Sequence, residues 1–153
     1  METKLIFLLS LTFLFLFGCS SVVLADDFQE GVSAIEKGDY KEAHKLWLSV
    51  AEQGDASAQF NLGLMYGNGK GVPQDYKEAL RWNKLAAEQG IDKAQYNLGV
   101  MHAKGQGVPQ DSVSAHMWWN ICSAYECNVV EQGMSPSQIE KAEEMARNWK
   151  PKK

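Results

Sequence analysis

"AEQGDASAQFNLGLMYGNGKGVPQD" runs from Ala51 to Asp75, and "AEQGIDKAQYNLGVMHAKGQGVPQD" runs from Ala87 to Asp111. The step between the two is 36 residues. It persists upstream, where "YKEAHKLWLSVAEQG" from Tyr40 answers "YKEALRWNKLAAEQG" from Tyr76. It fades after Asp111, although Ala115 and Trp118 still answer Ala79 and Trp82. Self-similarity at a period of about 20–50 residues marks stacked supersecondary units, each of which buries its apolar face only against a neighbour.

Each unit reads as two helices. Ala58, Leu62 and Met65 are spaced four and three apart, as are Ala94, Leu98 and Met101, which makes one helical stripe. Gly63 and Gly99 fall mid-helix at equivalent positions, where close packing of the next helix offsets the propensity cost. The second helix carries Tyr76, Ala79, Leu80, Trp82 and Ala86, and "EQG" ends it at Gly54 and Gly90. Helices are expected at about 27–37, 40–53, 55–67, 75–89, 92–103, 111–124 and 136–149.

"GNGKGVPQD" has the glycines and lysine of a phosphate loop, but it lies between two helices of one hairpin. A P-loop needs G-x-x-x-x-G-K-[ST] after a strand. Here Val72 follows Gly71, and Lys70 becomes Gln106 in the second copy. The loop therefore reads as architecture. Glycine permits positive φ, Pro73 and Pro109 stop the helix, and Asp75 and Asp111 cap the next one.

These repeats resemble the Sel-one-like family, relatives of the tetratricopeptide repeat with a longer inter-helix loop. The resemblance covers about 40–124. "FQEGVSAIEKGDYKEAHKLW" is similar to a tetratricopeptide unit without the extra loop residues, and "MSPSQIEKAEEMARNWKPK" resembles the closing helix of bacterial secreted members. Ser135, Pro136 and Gln138 form a capping box with proline at the first helical position. The expected fold is all-α: a short right-handed solenoid in one domain, 26–153. Its units span about 27–54, 55–90 and 91–125, with a closing helix at about 136–149.

The chain of 153 residues has a net charge of −4, which argues against non-specific nucleic-acid binding. Leu5–Phe17 is dominated by Phe, Leu and Ile behind Lys4, the pattern of an export signal. Three outcomes stay open: cleavage after Ala25, lipidation of Cys19 after a signal over 1–18, and an uncleaved anchor. Each puts the folded part outside the cytoplasm, as a periplasmic, secreted or outer-membrane lipoprotein. Cys122 and Cys127 are candidates for a local disulfide, which requires the helix to end between them, or for two buried thiols.

No catalytic constellation is read, and no cofactor. His44, His102 and His116 form no metal-binding pair, and His102 and His116 stand where the previous unit has Tyr66 and Leu80. Trp82 and Trp118 are repeat-equivalent and assigned to packing. Trp119 stands where the previous unit has Asn83, so an exposed contact role stays open for it beside packing.

What the resemblance implies is a non-enzymatic scaffold for an unidentified protein or peptide in the bacterial envelope. In the related grooves the first helix offers an aromatic residue and an asparagine. The matching positions are Phe60-Asn61 and Tyr96-Asn97, with Leu64 and Val100 one turn on. Asn61 and Asn97 read equally well as ties between helices. The alternative is an envelope enzyme of the penicillin-binding or β-lactamase-like type. Against it, the chain lacks the paired cysteines of those relatives and an S-x-x-K nucleophile. The sequence leaves the oligomeric state undetermined.

Overall fold

A computed structural model describes residues 26–122 and 133–151. The export signal, Cys19 and Cys127 lie outside the described residues.

The described residues contain seven helices and no strand. They are α1 (26–36), α2 (Tyr40–Glu52), α3 (Ala56–Asn68), α4 (Tyr76–Glu88), α5 (Asp92–Lys104), α6 (Ser112–Ile121) and α7 (Pro136–Asn148). Consecutive helices pack on one another from α2 to α7, the arrangement of an all-α helical-repeat solenoid. The expected helix over 111–124 is shorter in the structure. It ends at Ile121, and Cys122 has extended backbone.

Helix starts follow the sequence signals. Asp39, Asp55, Asp75 and Asp111 each accept a backbone N–H of the first turn, at 3.1, 2.7, 2.8 and 3.0 Å. Ser135 and Gln138 close a reciprocal capping box under Pro136. α5 is the exception. Ile91 stands where the previous unit has Asp55 and gives no side-chain cap, while Asp92 supplies an acid in the first turn.

The repeated loop is built residue by residue. Gly71 has φ +77° and lies against the Tyr40 carbonyl oxygen, and Gly107 has φ +75° against that of Tyr76. The loop of one unit thus rests on the start of the preceding second helix, where any Cβ would collide. Gln74 Nε2 donates to the Gly67 carbonyl at 2.6 Å, and Gln110 Nε2 to that of Ala103 at 2.8 Å. Asp75 and Asp111 then cap α4 and α6. Lys70 is exposed and sits over the Tyr40 ring, 5.3 Å from its centre.

Ala58, Leu62, Met65, Ala94, Leu98 and Met101 are all buried, as their spacing predicts. They divide between two clusters that meet along the array. One joins α1 to α4 through Trp47 and Trp82, and the other joins α4 to α7 through Trp118 and Ala142. Trp149 closes the second, its ring set edge-on to Trp118 at 5.8 Å.

Buried glutamines tie the units together. Gln59 Nε2 donates to the Ala51 carbonyl at 3.1 Å, and Gln95 Nε2 repeats the bond to Ala87 at 3.2 Å. Gln89 Nε2 bridges the units by donating to Gln59 Oε1 and to the Gly54 carbonyl, both at 2.9 Å. The Ala51 and Ala87 carbonyls at the ends of α2 and α4, which also accept the Gly54 and Gly90 N–H, gain from Gln59 and Gln95 a second donor inside the core.

Candidate binding cleft

A cleft of about 300 Å³ opens between α3 and α5, with α4 as its floor. α3 contributes Gly63, Leu64 and Gly67. α4 contributes Tyr76, Ala79 and Asn83, and α5 contributes Asn97, Val100, Met101 and Lys104. Asn68, Gln74 and Gln106 close one end. Among the described residues that line it, none is an acid.

Two features distinguish this place from the rest of the described surface. Leu64 and Tyr76, 38% and 37% accessible, are the exposed large hydrophobic side chains, and both border the cleft. The lining also holds five side-chain amides, from Asn68, Gln74, Asn83, Asn97 and Gln106. An amide offers donors and an acceptor together, the complement of a peptide backbone.

The expected contact residues separate in the structure. Leu64, Asn97 and Val100 line the cleft, whereas Phe60, Asn61 and Tyr96 do not. Phe60 is half-buried and packs against the second core cluster, and the Tyr96 carbonyl accepts a bond from Trp119 Nε1 at 3.2 Å. Asn97 lines the cleft and ties two helices at once. Its Nδ2 donates to Asn83 Oδ1 at 3.3 Å, while Asn83 Nδ2 donates to the Ala79 carbonyl at 2.8 Å.

Asn83 is a site residue that the pattern of apolar positions did not single out. It lies directly over Gly63, where a Cβ would overlap its amide. In the flanking units tryptophan holds the same station. Trp47 covers Gly31 and donates Nε1–H to the Phe28 carbonyl at 3.2 Å, and Trp119 covers Gly99. Trp119 is therefore half-buried packing and not an exposed contact residue. Aligning Trp47, Asn83 and Trp119 at their shared 36-residue step contains that signal.

The histidines stay apart from one another. His44 Nε2 lies 3.1 Å from Tyr66 Oη, with the rings edge-on. Burial lowers the pKa of His44. Burial also lowers that of His102, against a smaller opposing pull from Asp111. His116 is buried in α6. Among the described residues no three His, Cys, Asp or Glu side chains gather as metal ligands. Cys122 is buried at the end of α6 with its sulfur 3.4 Å from the Asp92 carbonyl oxygen.

The sequence profile of the Sel1 repeat matches residues 24–55, 56–91 and 92–121. The chain belongs to the Sel1 repeat family. Two solved structures agree with that membership. A Sel1 repeat chain of this kind is similar to c5321, described as a protective antigen present in uropathogenic Escherichia coli strains and displaying an SLR fold. The TM-score is 0.75 and the identity 30%, over 81% of this chain and 29% of that one. It is also similar to a Sel1 repeat protein from Oxalobacter formigenes, with a TM-score of 0.57 and 33% identity over 60% of this chain and 38% of that one. The Sel1 repeats here thus span well under half the length of either relative. No match was found among curated protein sequences.

Proposed function

We propose that this Sel1 repeat protein is a non-enzymatic scaffold that binds an extended protein segment in the cleft between α3 and α5. The observation that carries the reading is the coincidence of Leu64 and Tyr76 at the rim of one amide-lined cleft. Exposed apolar side chains scattered singly need no explanation, but two bordering the same concavity favour a binding site. The surrounding side chains supply hydrogen bonds and apolar contact, and no nucleophile paired with a base stands among them. The reading includes export, on the evidence of the apolar run Leu5–Phe17, so the partner is sought in the cell envelope.

The test is a photo-crosslinker placed at position 64, with a control at exposed Lys45 on the outer helix α2. A single partner captured from position 64 and absent from position 45 supports the reading. Equal capture from both positions overturns it.

A further inference from the structure

Gly31, Gly63 and Gly99 lie under Trp47, Asn83 and Trp119, so they mark one station in α1, α3 and α5 and set those helices in register. Four stations of α3 turn to the preceding unit. Ala58, Leu62 and Met65 are buried in the cluster that holds α2, and Gln59 bonds to the Ala51 carbonyl. α5 repeats this towards α4 with Ala94, Leu98 and Gln95. In α1 the same four stations hold Asp26, Asp27, Glu30 and Ser33. Asp26, Glu30 and Ser33 are exposed, and Asp27 is half-buried. The second helices agree. Trp82 and Trp118 are buried, whereas Leu46 at their station is half-buried.

This side of the first unit is hollow. A recess of about 400 Å³ lies between α1 and α2, with Glu30, Lys37, Asp39 and Glu42 in its lining beside Leu46. In the next two units the corresponding side is covered by a helix, first α2 and then α4. The recess thus has the form of a repeat junction with the wrong chemistry for one. A helix like α2 brings the apolar stripe Ala43, Trp47, Val50 and Ala51. Laid on α1, that stripe would bury the Glu30 carboxylate where Leu62 and Leu98 stand, and it offers no counter-charge. We propose that the first unit is the sealed end of the array: Asp26, Asp27 and Glu30 keep a second copy of this chain from stacking on it, so that partners engage the protein from the side. The far end carries charge as well, since α7 exposes Glu140, Glu143, Glu144 and Arg147. The inference does not depend on the cleft reading above.

The experiment reads contact between copies in cells that express the full chain, with a photo-crosslinker in place of exposed Lys37 in the recess. The native face is expected to give little covalent dimer. Asp26→Ala, Asp27→Gln, Glu30→Leu and Ser33→Met together rewrite the four stations with the residues of the second unit. That combined variant is expected to raise the dimer captured at position 37 about tenfold. Lys77→Leu and Lys84→Met put apolar side chains on the exposed face of α4 instead, and are expected to leave the yield at position 37 unchanged. Should the combined variant fail to fold, Glu30→Leu alone changes the centre of the face and is expected to raise the yield in the same direction. Strong capture of a second copy through position 37 of the native face overturns the proposal. So does a folded variant whose yield does not rise, or an equal rise in the α4 control. Capture of a partner at position 64 is read independently of all these outcomes, so the cleft reading stands or falls separately.

Discussion

The indole of Trp119 lies across Gly99 so closely that a Cβ at that glycine would overlap the ring. Glycine in mid-helix costs about 1 kcal/mol relative to alanine, so Gly99→Ala gains that much from propensity. Overpacking against the indole costs about 1–3 kcal/mol and outweighs it. Gly99→Ala is expected to lower stability in urea unfolding by about 1 kcal/mol. In a Trp119→Ala background the collision is gone, and the same change is expected to stabilise. A double-mutant cycle without that change of sign would show that the indole does not dictate the glycine.

Gly71 and Gly38 separate backbone strain from steric contact. Their φ angles are +77° and +79°, but Gly38 has open space around it and Gly71 abuts the Tyr40 carbonyl. Gly38→Ala is expected to cost the left-handed penalty alone, about 1–2 kcal/mol. Gly71→Ala is expected to cost that and more, because the loop must lift from α2. Equal melting shifts for the two variants would remove the contact from the account.

Gln59 is buried, and its amide is used at both ends, by Ala51 and by Gln89. Gln59→Ala removes both bonds from a buried site, leaving the Ala51 carbonyl to the Gly54 N–H alone, and is expected to destabilise by about 1–3 kcal/mol. Gln89 is exposed, so water replaces what Gln89→Ala removes, and the expected loss is about 0.5–1.5 kcal/mol. Paired denaturation curves read the difference directly.

Leu64→Asp and Tyr76→Ala change the rim of the cleft and little of the core. Stability is expected to move by about 0.5 kcal/mol or less, while capture of the partner at the cleft is lost. A large drop in melting temperature for either variant would make the rim structural.

Acid is expected to weaken the fold in two stages. Burial lowers the pKa of His44 and His102 below their ordinary 6.5, so the unfolded chain takes up those protons first. Stability held above that value is lost as pH falls through it, because the unfolded state then binds more protons. Asp111 acts later and in the same direction. The Ser114 hydroxyl bond holds its pKa below the ordinary 3.8. The combined variant His44→Gln and His102→Gln is expected to flatten the decline of the urea midpoint between about pH 7 and about pH 5. An unchanged slope would assign the first stage to other groups.

The repeat by itself determined the fold. A helical stripe at Ala58, Leu62 and Met65, written again at Ala94, Leu98 and Met101, has one way to be buried, against the same stripe's neighbours in the next unit. Capping aspartates, loop prolines and the Ser135 box are local signals, and local sequence suffices for them. The cleft was legible only in part. Leu64, Asn97 and Val100 could be placed on a first-helix face by spacing, yet spacing cannot say which neighbour covers a face. Only the tertiary structure decided that Phe60 is taken up by the second core cluster and that Trp119 is packing. It also decided that Asn83, although buried, forms part of the wall of an opening. The physical reason is that a cavity is a property of the gap between helices. It is set by the volume of a side chain on one element measured against a glycine on another, and no periodicity along a single helix records that difference.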